Sequence, residues 1–253
     1  MGTWKIGSPR TPAERTSQIE SLKRGLELGM TLVDTAEFYA DGESERLVGE
    51  AIKGRRDSVF VATKVWPTNL HHDDVLAACD RSLKRLGISF ADLYQIHWPN
   101  PRIPIRETMG AMQELVTAGK VRHIGVSNFS IEETKKAQEA LGRTELASNQ
   151  VEYSLVNRSI ESGLLQFCQK ERITVIAYSP LGRGSLPALI IPESILTKYR
   201  MTRAQVALNW VTWKQGVVAI PKSATKEHTE ENAVSLSTRL SERDYDTISR
   251  SAG

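Results

Sequence analysis

The sequence is poor in cysteine. Its two cysteines, Cys79 and Cys168, are far apart and belong to no C-x-x-C. Neither a disulfide framework nor a paired-thiol site is expected, and both residues read as reduced core side chains of a cytoplasmic protein. Net charge is equally scarce: 33 basic against 30 acidic side chains leave +3. No basic run interleaves with aromatics, so nucleic acid is not expected as a partner. No stretch approaches the ~18 apolar residues of a membrane span. The opening MGTWKIGSPR has no apolar signal-peptide core, so no membrane is expected as a partner. Low-complexity tracts and Pro/Gly/Ser linkers are missing, and residues 1–253 read as one domain. No G-x-G-x-x-G follows an early strand.

What is present is alternation. Apolar strand-like runs occur at 31–36 (TLVDTA), 58–64 (SVFVATK), 92–98 (DLYQIHW), 122–128 (RHIGVSN), 146–153 (LASNQVEY), 174–180 (TVIAYSP) and 217–223 (VVAIPKS). They are mostly continuous, as parallel strands covered on both faces should be. Helical periodicity lies between them. Residues 16–28 put Ile19, Leu22 and Leu26 on one face before Gly29, and 73–86 put Val75, Cys79, Leu83 and Leu86 on one face before Gly87. Ser130 with Glu133, and Thr202 with Gln205, have the spacing of capping boxes. Such alternation predicts a parallel α/β fold. A length of 253 residues suits a (β/α)8 TIM barrel. A doubly wound open sheet is the alternative, weakened by the missing glycine fingerprint.

Polar residues end these strands: Asp34, Lys64, His97, Ser127-Asn128, Gln150, Tyr178-Ser179 and Lys222-Ser223. In a barrel the C-terminal strand ends carry chemistry. Asp34, Tyr39, Lys64 and His97 together suggest a general acid. A lone tyrosine, with a pKa of about 10, exchanges protons poorly at neutral pH. A nearby ammonium is expected to lower that value, with a carboxylate holding the lysine and a histidine orienting a bound oxygen.

These residues lie in GTW (2–4), VDTAEFY (33–39), GESERLVGEAI (42–52), VATK (61–64), DLYQIHWP (92–99), IGVSNF (124–129), NQVEY (149–153), AYSPL (177–181), IPKS (220–223) and EEN (230–232). In that order, over nearly the whole chain, they resemble the aldo-keto reductase family. The resemblance implies a (β/α)8 barrel reducing aldehydes and ketones with NADPH. It implies a catalytic set of Tyr39, Asp34, Lys64 and His97. It would put the nicotinamide on Ser127, Asn128, Gln150 and Tyr178, with Thr3 near its ribose. Ser179, Pro180 and Leu181 would line the pyrophosphate. Ile220, Pro221, Lys222, Ser223, Thr225 and His228 would meet the 2′-phosphate end, and Glu231 and Asn232 the adenine. Trp4, Trp66 and Trp98 would join Tyr39 and His97 around the substrate, favouring aromatic or medium-chain carbonyls. Trp210 and Trp213 read as packing residues.

The chain departs from the family pattern in places. His228 stands where an arginine is usual and cannot form the same fork on phosphate, so NADH is expected to be accepted too. The chain opens at MGTW, so the barrel is expected to lack the family's N-terminal hairpin and most of its first strand, exposing an edge. The alternative function is a cofactor-binding regulatory subunit with slow or no turnover. A third reading makes Lys64 a Schiff-base lysine. His71-His72-Asp73-Asp74 invites a metal reading, but adjacent side chains rarely face one ion, and no metal is expected. The partner is a small-molecule carbonyl substrate, and the chain is expected to be a monomer.

Overall fold

The computed structural model describes residues 1–185 and 191–251. Its strands are Leu32–Asp34 (β1), Phe60–Val65 (β2), Ala91–Ile96 (β3), Val121–Ser127 (β4), Leu146–Glu152 (β5), Thr174–Tyr178 (β6) and Val217–Ala219 (β7). They form one parallel sheet in sequence order. Every expected strand is present. Between and after the strands lie Pro12–Glu27 (α1), Glu43–Ile52 (α2), His72–Leu86 (α3), Ile105–Thr117 (α4), Ile131–Leu141 (α5), Leu164–Lys170 (α6), Glu193–Tyr199 (α7), Arg203–Val211 (α8), Lys226–Val234 (α9) and Glu242–Ser251 (α10). No described helix is long and apolar enough to cross a membrane.

Local chemistry explains the helix ends. Ser130 and Thr202 cap α5 and α8 through reciprocal bonds with Glu133 and Gln205, as their spacing predicts. Gly87 takes φ 65° to end α3. Helix α1 starts earlier than its apolar periodicity suggests. Thr11 accepts from the Glu14 amide at 3.1 Å, and Pro12 occupies the first helical position.

The expected open edge is bridged at the rim. Gly2 forms parallel bridges to both Asp34 and Lys222. Its amide donates to the Pro221 carbonyl at 3.0 Å, and the Asp34 amide donates to the Met1 carbonyl at 2.8 Å. Residues 1–3 thus occupy the position of an eighth strand, and the sheet closes on itself there. Only glycine fits at the join: a Cβ on Gly2 would sit 2.8 Å from the Ile220 carbonyl oxygen.

Strand alternation sorts side chains to the two faces. On β2, Thr63 points outward and its hydroxyl donates to the buried Glu45 of α2 at 2.6 Å. Lys64, next in the chain, therefore points into the barrel. Ala62, Leu93, Ile176 and Ile220 fill the interior below it. The larger core lies outside the strands, where Tyr94, Ile96, Met109, Met112 and Val126 pack with the helices. Each such fully buried aliphatic side chain contributes about 1.5–3 kcal/mol. Trp210 is fully buried and stacks on Tyr245, a packing role as expected. Cys79 and Cys168 are buried free thiols, pushed up to about 12 and about 11 mainly by desolvation.

Candidate active site

The C-terminal strand ends surround a cavity of about 510 Å³. Asp34, Tyr39, His97, Ser127, Asn128, Gln150 and Tyr178 all line it, with Ser179, Pro180 and Leu181 after β6 and Ile220, Pro221 and Lys222 after β7. Trp4, Trp66 and Trp98 complete the wall. Residues far apart in sequence meet here because each ends or follows a strand of the same barrel.

At the floor lies a fully buried ion pair. Lys64 Nζ is 2.7 Å from Asp34 Oδ2. The ammonium also donates to the Thr35 carbonyl at 2.9 Å and to Tyr39 Oη at 3.3 Å, so its three donors are all used. Asp34 Oδ1 accepts from Gln150 Nε2 at 2.7 Å. Burial alone would pull the Lys64 pKa down, but Asp34 and Tyr39 outweigh it, and the net direction is upward.

Tyr39 departs from the sequence-based expectation. Desolvation raises its pKa, and the opposing pull of Lys64 does not reverse the direction. The phenol is therefore held protonated. Because Lys64 can only donate, it occupies a lone pair of Tyr39 Oη and leaves the hydroxyl proton available to another acceptor. The chain turns sharply just after this residue. Ala40 and Asp41 both take φ 50° and Gly42 φ 83°, a left-handed run uncommon outside glycine.

His97 stands edge-on to Tyr39, with ring centroids 5.5 Å apart. Burial, then the Lys64 ammonium, lower its pKa to about 3, so the imidazole is neutral. Its Nδ1 is buried without a hydrogen-bond partner.

Beside this group lies a hydrogen-bonded platform. Ser127 Oγ donates to the Gln150 carbonyl at 2.9 Å, and Asn128 Nδ2 donates to the His97 carbonyl at 3.1 Å. Tyr178 Oη donates to Asn128 Oδ1 at 3.0 Å. Thr3 is fully buried behind this wall, its hydroxyl donating to the Asp34 carbonyl at 2.9 Å and accepting from Ser44 at 2.8 Å.

The remaining expected residues gather beyond the cavity wall, in the segment before α9 and along that helix. Asn232 Nδ2 donates to Ser223 Oγ at 2.9 Å, and Thr225 is the N-cap residue. His228 is exposed, 3.5 Å from Glu231, whose other oxygen accepts from Thr202 at 2.9 Å. Ser21 of α1 braces this loop by donating to the Ser223 and Thr225 carbonyls at 3.3 and 3.2 Å.

Sequence reasoning missed Lys5, Phe38 and Arg183, which also line the cavity. Lys5 sits over the Trp4 ring at 4.6 Å with φ 64°. Arg183 lies between two positive-φ glycines, Gly182 and Gly184, which were its one sequence signal. Lys222 is pulled below the usual lysine range by burial and by Lys5. Neither Lys5 nor Lys222 has a carboxylate partner among the described residues. Two unpaired cations in one cleft fit a phosphate-bearing ligand.

The profile of the aldo/keto reductase family matches residues 1–252. The chain is 41% identical over 246 residues to methylglyoxal reductase YeaE of Escherichia coli, covering 95% of this chain and 86% of that protein. It is 36% identical over 234 residues to the glyoxal reductase of Bacillus subtilis, covering 90% of this chain and 81% of the relative. Its fold superposes with a TM-score of 0.90 on an aldo/keto reductase from Klebsiella pneumoniae solved with NADP and acetate, at 39% identity, covering 99% of this chain and 89% of that one.

Proposed function

This chain belongs to the aldo/keto reductase family and is an NAD(P)H-dependent oxidoreductase, and we propose that it reduces aldehydes and ketones to alcohols with Tyr39 as the proton donor. The observation that carries this reading is the Lys64 bond to Tyr39 Oη, which leaves the phenol proton free for a substrate oxygen. The relatives named as methylglyoxal and glyoxal reductases support carbonyl reduction, and the NADP complex of the Klebsiella protein supports NADPH as cofactor.

The residues suit that cofactor. Ser127, Asn128 and Gln150 would receive the nicotinamide carboxamide, Tyr178 would stack on the ring, and Ser179–Leu181 would follow the diphosphate. Lys222, with Ser223, Thr225 and His228, would meet the 2′-phosphate, and Glu231 and Asn232 the adenine. When bound, the nicotinamide supplies a hydride to the carbonyl carbon.

Tyr39 gives its proton to the carbonyl oxygen as negative charge develops there. The resulting phenolate is stabilised by the Lys64 ammonium, which Asp34 holds charged and in place. His97, being neutral, orients and polarises the carbonyl oxygen without adding a charge. A Schiff-base role for Lys64 is disfavoured, because that chemistry needs a neutral amine and this one is held charged by a buried carboxylate.

The test follows NADPH consumption by its near-ultraviolet absorbance with a reactive aldehyde, comparing wild type with Tyr39→Phe. Expected is a loss of about 100-fold or more in kcat with NADPH binding retained. Equal rates in both proteins would remove Tyr39 from its role. Tight NADPH binding without turnover in wild type would favour a regulatory subunit.

A further inference from the structure

Tyr39 and Lys64 stand on separate elements, and their 3.3 Å contact is at the long end of the hydrogen-bond range. A small shift of either residue breaks it. What keeps the two in register lies behind the cavity wall. Glu45, in the first turn of α2, is fully buried. Its Oε1 accepts from the Thr63 hydroxyl at 2.6 Å, and Thr63 directly precedes Lys64 on β2. Its Oε2 accepts from Arg85 Nε at 2.6 Å. Arg85 comes from the last turn of α3, where its Nη2 also donates to Ser82 Oγ at 3.1 Å.

Arg85 supports the Tyr39 side as well. Gly42 is the N-cap of α2 and ends the left-handed run that follows Tyr39. A Cβ on Gly42 would sit 2.4 Å from Arg85 Cδ and 2.5 Å from its Nε, so the arginine stem lies directly on this glycine. Left-handed backbone at Ala40 and Asp41 persists only where the surroundings hold it. Arg85 thus backs the turn that carries Tyr39, while its carboxylate partner holds the strand that carries Lys64. Neither Glu45 nor Arg85 lines the cavity. A buried ion pair adds little net stability over an apolar pair of the same volume. What it adds here is direction, through bonds to two different elements.

We infer that the Glu45–Arg85 pair positions Tyr39 against Lys64 for proton transfer. Both are positioning residues, acting through Tyr39 and Lys64 without touching the substrate. The inference rests on the carbonyl-reduction reading above, with Tyr39 as the acid.

The experiment measures kcat and KM for 4-nitrobenzaldehyde with NADPH, per folded molecule, in wild type, Arg85→Met, Arg85→Lys and Glu45→Gln. It then repeats Arg85→Met in a Tyr39→Phe background. In Arg85→Met, kcat should fall about 10- to 100-fold, the effect of a misplacement of about 1 Å, with KM and NADPH binding unchanged. Arg85→Lys keeps a Cδ against Gly42 and a cation for Glu45, and should retain most of kcat. Glu45→Gln keeps an acceptor for Thr63 but loses the charge that holds Arg85. It should lower kcat in the same way, and it carries the test should Arg85→Met fail to fold. In the Tyr39→Phe background Arg85→Met should cost no further activity, because no phenol is left to misplace. A lower urea midpoint with kcat intact in Arg85→Met and Glu45→Gln overturns the inference and leaves carbonyl reduction standing. So does a full loss repeated in the Tyr39→Phe background. Equal rates in wild type and Tyr39→Phe would remove the acid role itself, and this inference with it.

Discussion

Asp34 Oδ2 and Lys64 Nζ lie 2.7 Å apart, with both side chains shut off from solvent. Such a pair does little for net stability compared with an apolar isostere, but removing one partner strands the other charge. Its presence at a barrel mouth is a cost accepted for chemistry. The pair fixes a positive charge under Tyr39 in a site where low dielectric strengthens its effect.

Breaking the pair should therefore be asymmetric with removing it. Asp34→Asn and Lys64→Met should each destabilise the protein by about 3–5 kcal/mol and lower kcat by about 100-fold or more. The double variant should lose less stability than the sum of the two. Urea titrations of all four proteins measure this. Strict additivity would show that the two charges do not interact.

His97 should make stability pH-dependent. Its pKa is about 3 in the folded protein, against about 6.5 in an unfolded chain. Between those values the unfolded chain holds the extra proton, so protonation favours unfolding. Stability is fully present above about 6.5 and falls as pH drops towards the folded pKa, by at most about 1.4 kcal/mol per pH unit. Urea midpoints measured from pH 7 to pH 4 should decline less steeply in His97→Gln. Identical slopes would place the titration elsewhere.

Gly2 should tolerate no side chain. Its missing Cβ faces the Ile220 carbonyl oxygen at 2.8 Å, and a backbone oxygen cannot swing aside as a side chain can. Gly2→Ala should cost about 1–3 kcal/mol and loosen the seam between β1 and β7. Hydrogen exchange at the Asp34 amide, which bonds to Met1, should accelerate. Unchanged exchange there would mean that residues 1–3 do not hold the barrel closed.

The strands and the residues that meet in the cavity were legible because polar groups interrupt apolar runs at one recurring place. A carboxylate at Asp34 or an ammonium at Lys64 is conspicuous at the end of a strand. Phe38 was not conspicuous, because an aromatic beside a tyrosine looks like core until its exposure is known. Lys5 and Arg183 look like ordinary surface cations in one dimension. The upward direction of the Tyr39 pKa is hidden from the sequence for a related reason. Lys64 can be read from the sequence as a neighbour, but the depth of burial that outweighs it is a property of the closed barrel. Apolar periodicity alone puts the start of α1 too late, because the capping signal, Thr11-Pro12, lies ahead of the first apolar residue of the pattern.

Asp92 shows the same limit at the opposite end of the barrel, and it supports a final prediction. It begins a strand-like run and looks like a turn residue, yet it is only 3% exposed. Oδ2 accepts from the Val61 amide at 2.9 Å and forms an ion pair with Arg56 at 2.7 Å, while Oδ1 accepts from Arg122 at 2.9 Å. The two guanidiniums lie 4.2 and 4.0 Å from the Phe90 ring centroid. One carboxylate thus joins β2, β3 and β4 at their N-terminal ends, away from the cavity. Asp92→Ala leaves a buried amide without its acceptor and the half-buried Arg56 without its counter-charge. The expected loss is about 3 kcal/mol, with kcat per folded molecule unchanged because no cavity residue moves. Asp92→Asn keeps an acceptor oxygen and should lose less. Urea titration beside steady-state kinetics distinguishes the outcomes: a fall in kcat with stability intact would tie Asp92 to the chemistry, and no change in either would mean that the three strands are held together without it.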